Sequence, residues 1–167
     1  HNAGLGFEEI REGLSKFKGV GRRMQVLHET PSVKIIDDYG HHPTEVSSTL
    51  QALSEVKGDK KLVVVFEPHR FSRTKNCWED FLHSFNLADK VYFLPIYSAG
   101  EKEMEGITSQ RLSEDINSLH PGFSSMVTSL DEIEDFKTSE NVLILTLGAG
   151  AIGREIRDFL KRNNYVD

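Results

Sequence analysis

The chain has 167 residues, a length that suits one globular domain with a single core. Hydrophobic residues make up 38% of the chain and charged residues 28%, ordinary values for a soluble protein rather than a disordered one. The formal net charge of -6 argues against a nucleic-acid partner, because phosphate backbones bind basic faces.

The first third of the chain predicts two helices around a pair of strands. Residues 7–17 carry apolar side chains at helical spacing, and the charges between them argue against a signal peptide. Strands are predicted at residues 24–29 and 33–36, too close together for a helical crossover, so one of them is expected to run antiparallel. A second helix is predicted from Pro43 to Val56, since proline suits the first helical turn.

Beyond that point strands and helices alternate. The remaining predicted strands are residues 62–66, 91–95, 125–127 and 141–147. The remaining predicted helices are residues 76–85, 109–119, 130–136 and 151–162. Continuously apolar strands that alternate with helices are typical of a mostly parallel sheet covered on both faces. We therefore expect a single α/β domain, Rossmann-like and three-layered, with about six strands.

Ligands of such sheets bind beyond the carboxyl ends of the strands. The unusual residues of this chain follow four predicted strands, at residues 37–42, 67–74, 97–101 and 148–153. We expect these four segments to converge on one edge of the sheet, called the rim below.

Residues 37–45, DDYGHHPTE, combine acids, an aromatic hydroxyl and two imidazoles. Two His and two Asp suit a metal, but adjacent side chains usually diverge and no further His or Cys follows at ligand spacing. No metal site is therefore predicted. A helix cap by Asp38 or His42 remains open as a structural role. The favoured interpretation is ligand contact by Asp38, Tyr39 and His41.

The segment after the third strand holds Arg70 and Arg73 beside His69. Two guanidinium groups near an imidazole suit a carboxylate or a phosphate, which arginine binds through two parallel hydrogen bonds. Ion pairs of these arginines with Glu67 or Glu79 are the structural alternative.

Residues 148–153, GAGAIG, match the pattern GxGxxG between a strand and a helix. Only 14 residues follow Gly153, so a dinucleotide site would lack its second strand and its acidic residue. We expect a tight packing turn rather than NAD binding, although the helix amides there could still attract an anion.

Cys77 is the only cysteine, which fits a reducing cytosol and excludes a disulfide framework. Its neighbour Trp78 and its helical context favour a buried structural thiol over a nucleophile. The sequence contains no GxSxG elbow, no HExxH motif and no Walker A loop.

Five segments in order resemble the Mur ligases, the family that builds the peptide of peptidoglycan. They are FKGVGRRM at residues 17–24, DDYGHHPTE at 37–45, FEPHRFSRT at 66–74, YSAGE at 97–101 and LGAGAIG at 147–153. The resemblance covers nearly the whole chain, and the second segment is similar to the alanine-adding members. Ala151 departs from the family, which often has an acid there, and Met24 replaces an aromatic residue.

The resemblance implies the C-terminal domain of a three-domain cytoplasmic enzyme. Such an enzyme uses ATP and Mg²⁺ to join L-alanine to UDP-N-acetylmuramate through an acyl phosphate. The UDP-sugar domain and the central ATP domain lie outside these residues, so the isolated chain is expected to be inactive. Two alternatives stay open: a related murein tripeptide ligase, and a stand-alone nucleotide- or anion-binding module without catalysis.

For the nucleotide, the resemblance implies that Arg22 and Arg23 neutralise phosphate charge, with Arg23 acting in catalysis. It also implies that Asp38 accepts hydrogen bonds from the ATP ribose. Both roles suit the chemistry of these side chains at a phosphoryl-transfer site.

For the amino acid, the resemblance implies that His69, Arg70 and Arg73 hold the carboxylate and so orient the amine. Tyr39 and His41 would line the same pocket. His41 is also expected to accept the amine proton, because histidine titrates close to physiological pH.

Overall fold

The computed structural model of the chain describes residues 4, 6–16, 21–137 and 141–165. Its helices are α1 (Phe7–Ser15), α2 (Pro43–Val56), α3 (Phe71–Asn76), α4 (Trp78–Ser84), α5 (Ser109–Leu119) and α6 (Ile152–Arg162). Its strands are β1 (Gln25–Glu29), β2 (Val33–Asp38), β3 (Lys61–Phe66), β4 (Lys90–Phe93), β5 (Ser124–Met126) and β6 (Val142–Leu147).

The described strands form one six-stranded sheet in the order β1-β2-β6-β3-β4-β5. β1 pairs antiparallel with β2, and every other pair is parallel. The predicted Rossmann-like α/β fold, with a mostly parallel sheet and one antiparallel strand, is confirmed.

β3 shows how the sheet is covered on both faces. Its side chains alternate, so that Leu62, Val64 and Phe66 join the apolar cluster against α2, α4 and α5. Val63 and Val65 join the opposite cluster, which packs against α6. All five residues are fully buried. The core therefore lies on both sides of the central strands. Burial of each such side chain contributes about 1.5–3 kcal/mol.

The central strands end at the same level, and this places their loops together. Asp38 pairs with Leu147 across β2 and β6, and Phe66 pairs with Leu147 across β3 and β6. Phe93 lies beside Phe66 at the end of β4. The segments after these strands therefore leave from one rim, as the sequence predicts.

Two predicted helices differ from the structure. The helix predicted at residues 76–85 is instead α3 and α4, which meet at Cys77, so the helical region begins at Phe71. The helix predicted at residues 130–136 is two short 3₁₀ turns, Leu130–Glu132 and Glu134–Phe136. They are separated at Ile133, whose backbone is extended and whose side chain is fully buried.

α1 ends at Ser15, and none of its residues is buried. The predicted end of this helix at residue 17 and part of the motif at residues 17–24 lie outside the described residues. Within the described ranges, no helix combines the length and the apolar character that crossing a membrane requires.

Candidate functional site

Four rings stand side by side along the rim and form what we call the ring row: Tyr39, His41, His69 and Tyr97. The centroids of Tyr39 and His41 lie 5.4 Å apart, and those of His41 and His69 lie 5.6 Å apart. His69 stacks on Tyr97 with centroids 5.5 Å apart. The ring row thus joins the loops that follow β2, β3 and β4.

Two arginines lie over the Tyr39 end of the ring row. The guanidinium carbon of Arg22 is 5.0 Å from the centroid of Tyr39, and that of Arg23 is 5.9 Å away. Each contact has the geometry of a cation–π interaction, worth about 0.5–2 kcal/mol. Arg22 is half-buried, and its Nη2 donates to the carbonyl oxygen of Gly148 at 2.5 Å. Arg23 is exposed, so its guanidinium is the one open to a ligand.

The turn that carries Arg23 has an unusual backbone. Arg22 and Met24 both have left-handed φ angles, 57° and 47°. A residue with a β-carbon in this region costs about 1–2 kcal/mol, so other contacts must hold the turn. Asp38 supplies one of them, because its Oδ2 accepts the amide of Met24 at 2.8 Å.

Asp38 is buried and serves the main chain with both oxygens. Besides Met24, it accepts the amide of Gly40 through Oδ1 at 2.8 Å. It therefore does not cap α2. That role belongs to His42, whose Nδ1 lies 3.4 Å from the amide of Thr44.

Glu45 completes the capping of α2. Its Oε2 accepts the amides of His41 and His42, both at 3.0 Å. Partial burial alone would raise the pKa of Glu45, but these two hydrogen bonds and the nearby histidine outweigh burial and lower it. Glu45 therefore stays ionised and fixes the backbone of the paired histidines.

His41 has its protonation pattern set by Tyr39. Nδ1 of His41 lies 3.0 Å from the carbonyl oxygen of Tyr39, and a carbonyl only accepts, so Nδ1 carries the hydrogen. In the uncharged ring the lone pair is then on Nε2. His41 can offer that nitrogen as a proton acceptor.

His69 has the opposite pattern. Arg73 Nη1 lies 3.1 Å from Nδ1 of His69, and a guanidinium only donates, so this nitrogen must carry the lone pair. Burial, followed by the positive charge of Arg73, lowers the pKa of His69. The ring is therefore neutral at physiological pH, with its hydrogen on Nε2. The rim thus combines an imidazole donor with an imidazole acceptor.

Arg70 stands at the start of α3 with a left-handed φ of 73°. Its amide donates to the carbonyl oxygen of Tyr97 at 2.8 Å. Its nearest carboxylate is Glu101, 3.8 Å away, and neither Glu67 nor Glu79 pairs with it among the described residues. Because 3.8 Å is a loose ion pair and half of the side chain is exposed, the guanidinium is open to a ligand.

Glu101 is held by Ser72, which the sequence analysis did not single out. The hydroxyl of Ser72 donates to Oε1 at 2.6 Å, and its amide donates to Oε2 at 2.9 Å. These bonds lower the pKa of Glu101. The loop after β4 is thereby fastened to the first turn of α3.

The helix amides at the GxGxxG turn are already bound by a side chain of this protein. The buried carboxylate of Glu67 accepts the amides of Ala151 and Ile152, at 3.2 Å and 3.3 Å, where α6 begins. A β-carbon at Gly150 would collide with this carboxylate and with the ring of Tyr97. The turn therefore packs against the rim, and its helix amides are taken by Glu67.

Among the residues that the structure describes, Cys77 and the histidines form no larger ligand cluster. Cys77 is partly rather than fully buried, with Sγ 3.7 Å from Nε2 of His42. In the part of the chain that the structure describes, no three His, Cys, Asp or Glu side chains are grouped as metal ligands.

Comparison with known proteins gives a consistent set of relatives. The family profile "Mur ligase, glutamate ligase domain" matches residues 22–150. The UDP-N-acetylmuramate–L-alanine ligase of Geotalea daltonii is 44% identical over 151 residues, which are 87% of this chain and 32% of that protein. The enzyme of the same name from Bdellovibrio bacteriovorus is 39% identical over 89% of this chain and 33% of its own length.

Solved structures with the fold of this chain include ligases of the same kind. The UDP-N-acetylmuramate-alanine ligase of Thermotoga maritima superposes with a TM-score of 0.72 at 31% identity, covering 98% of this chain and 34% of that chain. A murein peptide ligase from Psychrobacter arcticus has a TM-score of 0.69 at 20% identity, covering 99% and 35%, and shares the fold. This chain spans about one third of the length of the relatives that it matches.

Proposed function

The chain belongs to the Mur ligase family, and we propose that it is the C-terminal domain of an ATP-dependent UDP-N-acetylmuramate–L-alanine ligase. The relatives at about 40% identity that carry this name support the proposal. Because the chain spans about one third of their length, the substrates and the reaction of the whole protein are part of the proposal.

The observation that carries the proposal is the division of the rim. Arg23 lies at the Tyr39 end of the ring row, and Arg70 lies at the Tyr97 end, with the two imidazoles between them. A ligase of this kind must stabilise a phosphate in transfer and also orient an amino acid by its carboxylate. The two ends of the ring row suit these two tasks.

At the Tyr39 end, we propose that Arg23 stabilises the charge on the transferred phosphate of ATP. Arg22 was predicted to act with it, but its guanidinium is engaged by Gly148 and lies near Asp37. The carboxylate of Asp38 already accepts two backbone amides, those of Met24 and Gly40, and a ribose hydroxyl would bind to its remaining lone pairs. From the membership in the Mur ligase family, we propose that Mg²⁺ and most of the triphosphate are held by the central domain of the parent protein.

At the Tyr97 end, we propose that Arg70, Arg73 and the Nε2–H of His69 bind the carboxylate of L-alanine. Tyr39 and His41 would line the same pocket from the other end of the ring row. The muramate carboxylate attacks the γ-phosphorus of ATP, giving an acyl phosphate and ADP. The amine of L-alanine then attacks the acyl carbon, the C–N bond forms and phosphate leaves. Nε2 of His41 accepts the proton that the amine releases.

The test uses the full-length parent protein with UDP-N-acetylmuramate and ATP. Formation of the amide and release of phosphate should be fast with L-alanine and slow with the tripeptide L-alanyl-γ-D-glutamyl-meso-diaminopimelate. Preference for the tripeptide would replace the proposal with the murein peptide ligase. If neither substrate gives an amide, the stand-alone binding module is the alternative that remains.

A further inference from the structure

Asp37 is a fully buried carboxylate that the proposed reaction does not use. It is the penultimate residue of β2, directly before Asp38. Its Oδ2 accepts Nη1 of Arg157, which reaches it from α6, at 2.9 Å. Its Oδ1 lies 3.2 Å from the hydroxyl of Thr146, which donates to it. A charge buried this deeply needs such partners, so the ion pair of Asp37 with Arg157 is a constrained part of the fold.

A second arginine lies against the same carboxylate. Arg22 Nε is 3.4 Å from Oδ2 of Asp37, an ion-pair distance without hydrogen-bond geometry. That nitrogen is buried and has no hydrogen-bond partner among the described residues. Its position is therefore determined by the charge of Asp37 and by packing on Gly153, where a β-carbon would collide with the guanidinium.

Gln25 ties the two arginines to each other. Its Oε1 accepts Nη2 of Arg157 at 2.8 Å and also the backbone amide of Arg22 at 3.0 Å. Arg157 Nη1 additionally bonds to the carbonyl of Gly153. One face of α6 is thereby connected to the turn at residues 22–24.

Arg22 in turn fixes the rim. Its carbonyl oxygen accepts the amide of Tyr39 at 2.8 Å, and its guanidinium lies over the ring of the same residue. Arg23 lies between two residues in left-handed conformation, so its direction depends on the contacts of Arg22 and Met24. A shift of Arg22 would move both Arg23 and the first ring of the ring row.

We propose that Asp37, Gln25 and Arg157 are positioning residues that act through Arg22 to aim Arg23 at the transferred phosphate. This inference rests on the proposed function for the role of Arg23. Arg22 is then the link in this network and not a phosphate ligand, and Arg157 acts from α6 without touching substrate.

The first experiment compares Arg157→Met with Arg154→Met in the full-length parent protein. Arg154 lies on α6, is exposed and forms no ion pair within the described ranges. Arg157→Met should slow acyl-phosphate formation about 10- to 100-fold per folded molecule, because a displacement of a catalytic group by about 1 Å can cost about 100-fold. The KM for L-alanine should stay unchanged, and Arg154→Met should behave as the wild type.

Two further variants separate positioning from stability. Arg157→Lys should restore only part of the rate, because an ammonium group cannot reproduce the planar fork that reaches both Asp37 and Gln25. Gln25→Leu keeps the ion pair of Asp37 with Arg157 but removes the hydrogen bonds that join Arg157 to Arg22. It should therefore also slow acyl-phosphate formation. This variant tests the proposal even where Arg157→Met does not fold. A purely structural network predicts lower melting temperatures with unchanged rates per folded molecule, and that result would overturn the proposal.

The second experiment does not depend on ligase activity. Hydrogen exchange of the Tyr39 amide in this chain reports directly on the carbonyl of Arg22. Arg157→Met should speed the exchange of this amide at least about tenfold more than any fall in global stability accounts for. Arg154→Met should leave the exchange rate unchanged. If Arg157→Met speeds the exchange but the wild-type parent protein has no ligase activity, the proposed function is wrong and the positioning network is supported. Unchanged exchange in an active ligase would refute the network alone.

Discussion

The carboxylate of Glu67 fills the space into which a β-carbon at Gly150 would project. Both residues come from segments after neighbouring strands, β3 and β6, and the ring of Tyr97 closes the same space. The glycine pattern that resembles a dinucleotide motif is therefore explained by packing: Glu67 lies against Gly148 and Gly150, and the guanidinium of Arg22 lies against Gly153.

Gly150→Ala tests this relationship. The added methyl group must displace the carboxylate of Glu67 or the ring of Tyr97, so the free energy of unfolding should fall by about 1–3 kcal/mol. Chemical denaturation of the chain measures the change. Gly13→Ala is the control, since nothing lies within 4 Å of a β-carbon there, and it should cost no stability. Equal effects of both substitutions would contradict the packing explanation.

The protonation of His69 gives a pH prediction. Burial and the charge of Arg73 lower its pKa, so as pH falls through 6.5, the ordinary value, the unfolded chain takes up the proton first. The free energy of unfolding should therefore decrease below this pH. Arg73→Met should move the pKa of His69 part of the way back up, because burial remains. An NMR titration of the ring measures both effects.

The control for His69 is Lys75→Met, which removes an exposed cation from α3, the helix that also carries Arg73. The pKa of His69 should not change in this variant. A midpoint that is insensitive to Arg73, or that moves equally in both variants, would show that Nδ1 of His69 is not held by Arg73.

The two ends of the ring row should respond differently to mutation in the full-length protein. Arg70→Ala should raise the KM for L-alanine about 30- to 1000-fold, as expected for losing about 2–4 kcal/mol from a charged bidentate contact. Arg70→Lys should restore little of it. Arg23→Ala should slow acyl-phosphate formation, measured by trapping without alanine, and leave the KM for alanine nearly unchanged.

Arg111→Ala serves as the matched control for these kinetics, because this guanidinium lies over Trp78 rather than over the ring row. It should alter neither quantity. If Arg23→Ala and Arg70→Ala slowed acyl-phosphate formation equally and neither changed the alanine KM, the division of the rim would be wrong.

The chain by itself should neither turn over ATP nor bind it tightly. Residues 1–167 contain no Walker A loop, and one wall of a site supports affinities of roughly millimolar. Calorimetric titration and a phosphate-release assay measure these two properties. Sub-micromolar binding would instead favour the stand-alone module, and turnover above that of a mock preparation would contradict the prediction.

Much of the fold follows from local sequence. Pro43 and the apolar spacing after it predict α2 with the bounds that the structure has, and the same holds for α5. α3 was missed because its start depends on a tertiary contact. The bridge between His69 and Tyr97 holds Arg70 in a left-handed conformation, and no local pattern signals that event.

The site was predictable where it depends on topology alone. Parallel strands bring the segments after them to one rim, so Tyr39, His41 and His69 could be expected together. The partners of Asp37 could not, because Arg157 lies 120 residues away along the chain and looks like an ordinary helix charge. Glu67 appeared in the sequence only as a possible ion-pair partner, whereas the structure uses it to bind helix amides.

The charge pattern of the rim has a consequence for inhibitors. Arginines stand at both ends of the ring row, and His69, with its lowered pKa, adds no positive charge between them at neutral pH. Under the proposed function, a compound with a single anionic group would occupy one end and leave the other open to substrate. A rigid compound with an anion at each end and a flat, hydrogen-bonding middle would engage both ends at once. Under the proposed function it would compete with nucleotide and amino acid together, and the loss of one arginine would leave its contact with the other arginine in place.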